Sequence, residues 1–145
     1  MRGVTYGTFA PSRSGELYPD PDVVASDFAQ MTANGFNAVR TYTLPPHWLL
    51  DMAADQGLRV MVGIPWEQHV DFLEDRRRVR SIESRVRAAV ASCAGHPAVL
   101  CYAIGNEIPS PIVRWLGRRP VERHIERLCR AAKSEDPGGL VTYVN

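Results

Sequence analysis

Glu107 is the residue best placed to do chemistry in this sequence. It follows Asn106 directly, and the pair ends an apolar run that begins at Val99. A run that is apolar at both odd and even positions is typical of a strand buried on both faces, as in a parallel sheet. The carboxyl ends of such strands form the edge where α/β folds carry their active sites. We therefore interpret Glu107 as a candidate general acid, with the Asn106 amide available to hold a ligand hydroxyl. The alternative is that Glu107 caps a helix or forms an ion pair.

A second apolar segment carries Arg40 near its end, followed two positions later by Tyr42. An isolated buried guanidinium is costly, so Arg40 needs a partner, which a carboxylate or a substrate hydroxyl would supply. A structural ion pair is the alternative. Tyr42 lies on the same side of the strand, where it is either a hydrogen-bonding group of the site or part of the core.

Aromatic residues follow the predicted strands. Trp66 comes directly after the third strand, and Trp115 lies on the segment after Glu107. Their flat faces suit a sugar ring, so we predict that both contribute to binding. Trp48 is a weaker candidate because aromatic residues at helical spacing usually belong to the core. Glu67 also follows a strand, and a solvated loop position is the favoured interpretation for it.

Other kinds of site lack their sequence signals. The chain has no G-x-G-x-x-G after a strand, no P-loop and no G-x-S-x-G elbow. The Arg76–Arg80 run lacks interleaved aromatic residues, and the net charge is only +1, so nucleic-acid binding is disfavoured. The histidines lack zinc-ligand spacing; they are His47, His69, His96 and His124. We predict no cofactor, no metal and no nucleic-acid partner.

The elements that position these residues alternate along one predicted domain, residues 1–145. Strands are expected over 3–9, 36–42, 58–64, from 99 to the Asn106–Glu107 pair, and 140–144; helices are expected over about 20–34, 46–56, 81–94 and 121–132. We expect the Asp20 side chain to cap the first helix. The charged segment 71–80 is predicted to be a solvated loop or short helix, and 108–119 a loop.

Strands that alternate with amphipathic helices imply right-handed crossovers and a parallel sheet, here the first five strands of a TIM (β/α)₈ barrel. A closed barrel needs about 250 residues, so the barrel is incomplete in this chain. Three arrangements are open: a piece of a longer protein, association with another copy through the open barrel edges, or an open doubly wound sheet. The absence of a cap at 143–145 favours the first.

No apolar run approaches the roughly 20 residues of a membrane span, and the N-terminus lacks the apolar core of a signal peptide. The sequence therefore predicts a cytoplasmic location by default.

Four strings fall on the first four predicted strands in order: Gly3–Gly7, Val39–Tyr42, Val60–Pro65 and Tyr102–Pro109. The last resembles the fourth-strand signature of clan A glycoside hydrolases, which are retaining (β/α)₈ enzymes. The set is similar to two branches of that clan. One is the family 17 β-1,3-glucanase-like group, and the other is the family 2 β-galactosidase and β-glucuronidase group.

The resemblance implies roles for three residues. Glu107 matches the acid/base, Asn106 matches the residue that bonds the sugar 2-hydroxyl, and Arg40 matches the arginine that supports the nucleophile. The clan's nucleophile is a Glu on strand seven, which this sequence does not contain. The implied function is hydrolysis of O-glycosyl bonds in a β-linked oligo- or polysaccharide by a retaining mechanism in the complete protein, with this chain inactive alone. The alternative is a non-catalytic carbohydrate-binding or regulatory module fused to a larger carbohydrate-active protein, such as a glycosyltransferase.

Overall fold

The computed structural model of the chain describes residues 1–11, 13 and 15–144. Within that part, strands alternate with helices, and one additional helix follows the fourth strand. The elements are β1 Gly3–Tyr6, α1 Pro21–Ala33, β2 Ala38–Thr41, α2 His47–Asp55, β3 Arg59–Gly63, α3 Arg76–Cys93, β4 Val99–Asn106, α4 Ser110–Leu116, α5 Arg118–Glu135 and β5 Val141–Val144. Among the described residues, no helix combines the length and apolarity that crossing a membrane requires.

The five strands form one parallel sheet whose spatial order is the chain order, β1-β2-β3-β4-β5. A doubly wound sheet reverses its order at a switch point, and this sheet has no reversal. Because each right-handed crossover advances in the same direction, the helices pack on one face. The prediction of consecutive TIM-barrel strands is confirmed, and the doubly wound alternative is wrong.

The core lies between that face and the helices. Fully buried strand residues share one apolar cluster with fully buried helix residues: Val60, Val62, Tyr102 and Ile104 from the sheet, and Phe28, Leu49, Val86 and Leu128 from the helices. Each such side chain stabilises the fold by about 1.5–3 kcal/mol relative to an exposed one. Since side chains alternate along a strand, Arg40, Met61 and Ala103 face the opposite, concave side of the sheet.

Helix α3 begins five residues earlier than the sequence predicts, at Arg76 instead of Ser81. The Asp75 carboxylate accepts a hydrogen bond from the backbone N–H of Arg77 at 2.7 Å, which caps the helix. The charged first turn gives no apolar period, so the sequence pattern concealed the true start.

Two other expectations about helix starts are wrong. The predicted loop 108–119 contains α4, which has Pro111 in its first turn, where a missing N–H costs nothing. Asp20 precedes α1 but makes no side-chain cap. Instead, its backbone carbonyl accepts from the N–H groups of Val23 and Val24 at 2.9 and 3.1 Å.

Candidate active site

A cavity of about 560 Å³ opens at the carboxyl ends of β2, β3 and β4. Four of the six residues predicted to form the site line it: Arg40, Tyr42, Trp66 and Asn106. They come from three different strands or the loops that follow them. The parallel arrangement therefore gathers them at one edge of the sheet, as the sequence predicts.

Asn106 is held on two sides. Its side-chain oxygen accepts a hydrogen bond from Nη2 of Arg40, and its backbone N–H donates to the Gln68 side-chain oxygen at 2.9 Å. Among the described residues, no acceptor faces the Asn106 amide NH₂. This NH₂ group can therefore donate to a ligand oxygen in the cavity.

Arg40 has an amide partner rather than a carboxylate. Its guanidinium carbon lies 4.7 Å from the centre of the Tyr42 ring, a cation–π distance. Its Nε is buried and has no hydrogen-bond partner among the described residues. No ion pair joins Arg40 to Glu107 or to another described carboxylate, so its charge is available to an anionic group that enters the site.

Glu107 is exposed, next to Asn106, with a φ of 52°. This is the left-handed region, which costs a non-glycine residue about 1–2 kcal/mol. Its backbone N–H donates to the Val144 carbonyl at 2.9 Å, which ties the turn to β5. Within the described part of the chain, its carboxylate makes no hydrogen bond or ion pair. Backbone strain of this kind is concentrated at functional sites.

Trp66 lines the cavity, but its ring is largely buried and is not displayed as a flat surface for a ligand. Only 7% of its surface is exposed, and its indole N–H donates to the Ile104 carbonyl at 2.7 Å. It packs edge-on against Phe72 at 4.9 Å and His124 at 5.6 Å. Gly105 lies next to the indole on β4, where an added Cβ would come within 3.0 Å of the Tyr143 ring but only 3.5 Å from Trp66, an ordinary contact distance. Little of the ring remains for a sugar.

The other candidates lie away from this cavity. Trp115 is 79% exposed on α4 and donates to the Asp71 carboxylate at 3.1 Å. Trp48 is half-buried on α2. Glu67 forms an ion pair with Arg85, and that hydrogen bond lowers the pKa of the Glu67 carboxyl.

Sequence reasoning did not assign Gln68, Thr41 and Gly63 to the site, although all three line the cavity. The Thr41 hydroxyl accepts from the Gly63 N–H at 3.3 Å. A Cβ on Gly63 would lie 2.2 Å from the Thr41 carbonyl oxygen, so only glycine allows β2 and β3 to approach this closely. The position of Gln68 on the loop that follows β3 was the one available signal.

The cavity thus offers a guanidinium, amide groups, a phenol and an indole. Glu107 is not among the lining residues, but it directly follows the lining residue Asn106 in the chain. Such groups bind hydroxyl-rich ligands and exchange protons with them. Among the residues described, no group of three or more His, Cys, Asp or Glu side chains is close enough to hold a metal ion.

Comparison with protein families identifies the fold. The model described as "Glycosyl hydrolases family 2, TIM barrel domain" matches residues 3–145. The chain belongs to this family. Of the two clan A branches that the sequence resembles, the match is therefore to the family 2 branch and not to the family 17 branch. No curated protein matches the chain in sequence.

Solved structures share the fold of this family 2 domain. GH5_18 from Streptomyces cattleya in complex with GlcNAc is 21% identical, with a TM-score of 0.74 over 98% of this chain and 44% of that chain. The β-glucuronidase of Parabacteroides merdae is 18% identical, with a TM-score of 0.79 over 97% of this chain and 18% of that chain. The β-glucuronidase of Bifidobacterium dentium complexed with coumarin-3-O-glucuronide is 17% identical, with a TM-score of 0.71 over 98% and 22%. The chain therefore spans less than half the length of these proteins.

Proposed function

We propose that this family 2 domain contributes the acid/base half of a retaining glycosidase site that cleaves β-linked saccharides. The observation that carries the proposal is the Arg40–Asn106 hydrogen bond at the cavity, followed at once by Glu107 in a strained backbone conformation. Family membership supports the hydrolase class. Saccharide ligands in the related structures, GlcNAc and D-glucuronic acid among them, support the class of substrate.

In the proposed reaction, the Asn106 NH₂ donates to a sugar hydroxyl next to the anomeric carbon, and Arg40 fixes the orientation of that amide. Protonated Glu107 gives its proton to the glycosidic oxygen as the C–O bond breaks. A nucleophilic carboxylate attacks the anomeric carbon in the same step and forms a covalent glycosyl-enzyme. Ionised Glu107 then removes a proton from water, which attacks the same carbon and releases the nucleophile.

This reaction needs a second carboxyl group about 5–5.5 Å from the first. Among the described residues, no carboxylate lines the cavity, and Glu67 is engaged by Arg85. We therefore assign the nucleophile to a strand that completes the barrel beyond these five, and we expect no hydrolysis by the 145-residue chain alone. The absence of a carboxylate among the described lining residues also favours the alternative function, a domain that binds a saccharide without turnover.

The test is made on the completed barrel with aryl β-glycosides of poor and good leaving groups, phenyl and dinitrophenyl. Glu107→Gln should slow the release of phenol from the phenyl glycoside by about 100-fold or more. It should slow the release of dinitrophenolate much less, because only the poor leaving group needs a proton. Azide needs no general base, so it should restore turnover of the glycosyl-enzyme and yield the β-glycosyl azide.

Glu74→Gln, at another exposed glutamate, is the matched control and should leave both rates unchanged. Equal losses for the two leaving groups without azide rescue would argue against the acid/base role. Saccharide binding without any Glu107-dependent turnover would establish the binding module instead.

A further inference from the structure

A second cavity, of about 460 Å³, lies between α3 and α5 on the helix side of the sheet. Four arginines line it: Arg76 and Arg80 from α3, and Arg123 and Arg127 from α5. The remaining lining consists of His124 and apolar residues, so no carboxylate of the described residues lines the space. This is a concentrated positive charge in a chain whose net charge is only +1.

Three of these guanidinium groups lack counter-ions. Within the described residues, Arg76, Arg80 and Arg123 make no ion pair or side-chain hydrogen bond. The fourth, Arg127, pairs with Glu83 at 2.8 Å. Like charges around one cavity repel each other in the absence of an anion, and an anion between them relieves that repulsion.

Helix geometry adds to the positive potential. The cavity begins near the N-termini of both helices, where Arg76 is the first residue of α3 and Pro120 the third residue of α5, and it extends along α5 to Arg127. Both helices are 18 residues long, and their N-terminal N–H groups carry the positive end of the helix dipole.

His124 gives the independent observation that points to a ligand. It lines the cavity, yet only 3% of its surface is exposed, and neither ring nitrogen has a hydrogen-bond partner in the part of the chain that the structure describes. Its ring packs against Phe72 at 5.2 Å and Trp66 at 5.6 Å, which offer no acceptor in the ring plane. Buried polar groups are nearly always bonded, and a neutral imidazole has one N–H to donate.

We propose that the α3–α5 cavity binds a phosphate group, free or carried as a sugar ester, which the arginines and the His124 N–H would hold. Guanidinium groups match the oxygens of phosphate in charge and planar geometry. This site is separate from the proposed active site and does not depend on its function. Trp66 links the two, because it lines the first cavity and contacts His124 in the second.

The experiment titrates the full chain with inorganic phosphate, glucose 6-phosphate and glucose by calorimetry, with the His124 ring resonances followed by NMR. We expect saturable phosphate binding at one site and a shift of the His124 signals. The double variant Arg80→Gln/Arg123→Gln should bind about tenfold or more weakly. Arg114→Gln/Arg130→Gln removes the same charge from exposed positions outside the cavity and should bind like the wild type.

The three probes separate the sources of phosphate. Tighter binding of glucose 6-phosphate than of inorganic phosphate, with no binding of glucose, identifies a sugar ester as the ligand. Equal binding of the two phosphates identifies the free anion. Equal weakening in both double variants, or an unchanged His124 spectrum at saturation, would overturn the proposal. A fourth titration uses a long oligonucleotide, and binding of this probe with no binding of either phosphate would overturn the proposal as well.

Discussion

Arg40 and Asn106 are joined by a side-chain hydrogen bond across 66 positions of the chain. The two residues lie on β2 and β4, which flank β3, so the bond spans the middle of the sheet at its carboxyl edge. It fixes the amide oxygen of Asn106 and leaves the amide NH₂ directed elsewhere. The polar groups of the site are therefore arranged before any ligand binds.

Replacement of Arg40 by Met should separate binding from stability. The guanidinium is partly buried without a carboxylate, and an apolar side chain of similar length removes that desolvation cost, so the free energy of unfolding should change by less than about 1 kcal/mol. Saccharide affinity should fall about tenfold because Asn106 loses its orientation. Urea unfolding and a saccharide titration measure the two effects. Arg40→Lys is the matched control for charge and should not restore affinity, since Lys lacks the planar fork.

The left-handed backbone conformation of Glu107 should lower the stability of the fold at the residue that supplies the proposed acid/base carboxylate. Glu107→Gly should raise the free energy of unfolding above that of Glu107→Ala by about 1 kcal/mol, because only glycine relieves the strain at a φ of 52°. Both variants remove the carboxylate, so both should lose turnover in the completed barrel. Thermal unfolding of the pair tests the first expectation, and equal melting temperatures would contradict it.

Gly63 should tolerate no side chain. In Gly63→Ala the new Cβ meets the Thr41 backbone carbonyl, which cannot rotate away, so β2 and β3 must separate. We expect a loss of about 1–3 kcal/mol in the free energy of unfolding. Gly138→Ala is the matched control, because the added Cβ would lie 3.9 Å from the nearest atom outside its chain neighbours, a side-chain oxygen of Asp136. Chemical denaturation of the two variants should therefore give clearly different midpoints.

His124 should make the fold sensitive to mild acid. Burial, and secondarily the charge of Arg127, lowers the pKa of His124 to about 4, while Glu83 on α3 acts weakly in the opposite direction. The unfolded chain takes up this proton near pH 6.5 and the folded chain only near pH 4, so stability falls as the pH decreases between those values. The loss should reach about 3 kcal/mol.

Urea unfolding at pH 7 and at about pH 4.5 tests this, with His124→Phe as the comparison. The variant keeps an aromatic ring against Trp66 and Phe72 but cannot titrate, so the difference between the two pH values should shrink. An identical pH dependence in both proteins would show that other groups cause the acid sensitivity.

The sequence by itself determined the alternation of strands and helices, with the exception of α4, and the place of the Asn106–Glu107 pair at the end of β4. Both depend on local patterns: a doubly apolar run predicts a buried strand, and alternation with helices brings strand ends to one edge. The same patterns placed Arg40, Tyr42 and Trp66 at that edge of the sheet, where all three line one cavity in the structure. The predicted start of α3 was wrong, because the capping residue Asp75 is followed by a charged turn without apolar periodicity.

Only the tertiary structure decided which groups are partners. Arg40 is bonded to an amide instead of a carboxylate, Trp66 is covered by Phe72 and His124, and Trp115 lies outside the cavity. These outcomes depend on strand register and on how closely the backbones approach, as at Gly63. Such contacts join residues that are distant in the chain, and no local pattern encodes them. Four arginines from two helices and one buried histidine therefore became a candidate site only in three dimensions.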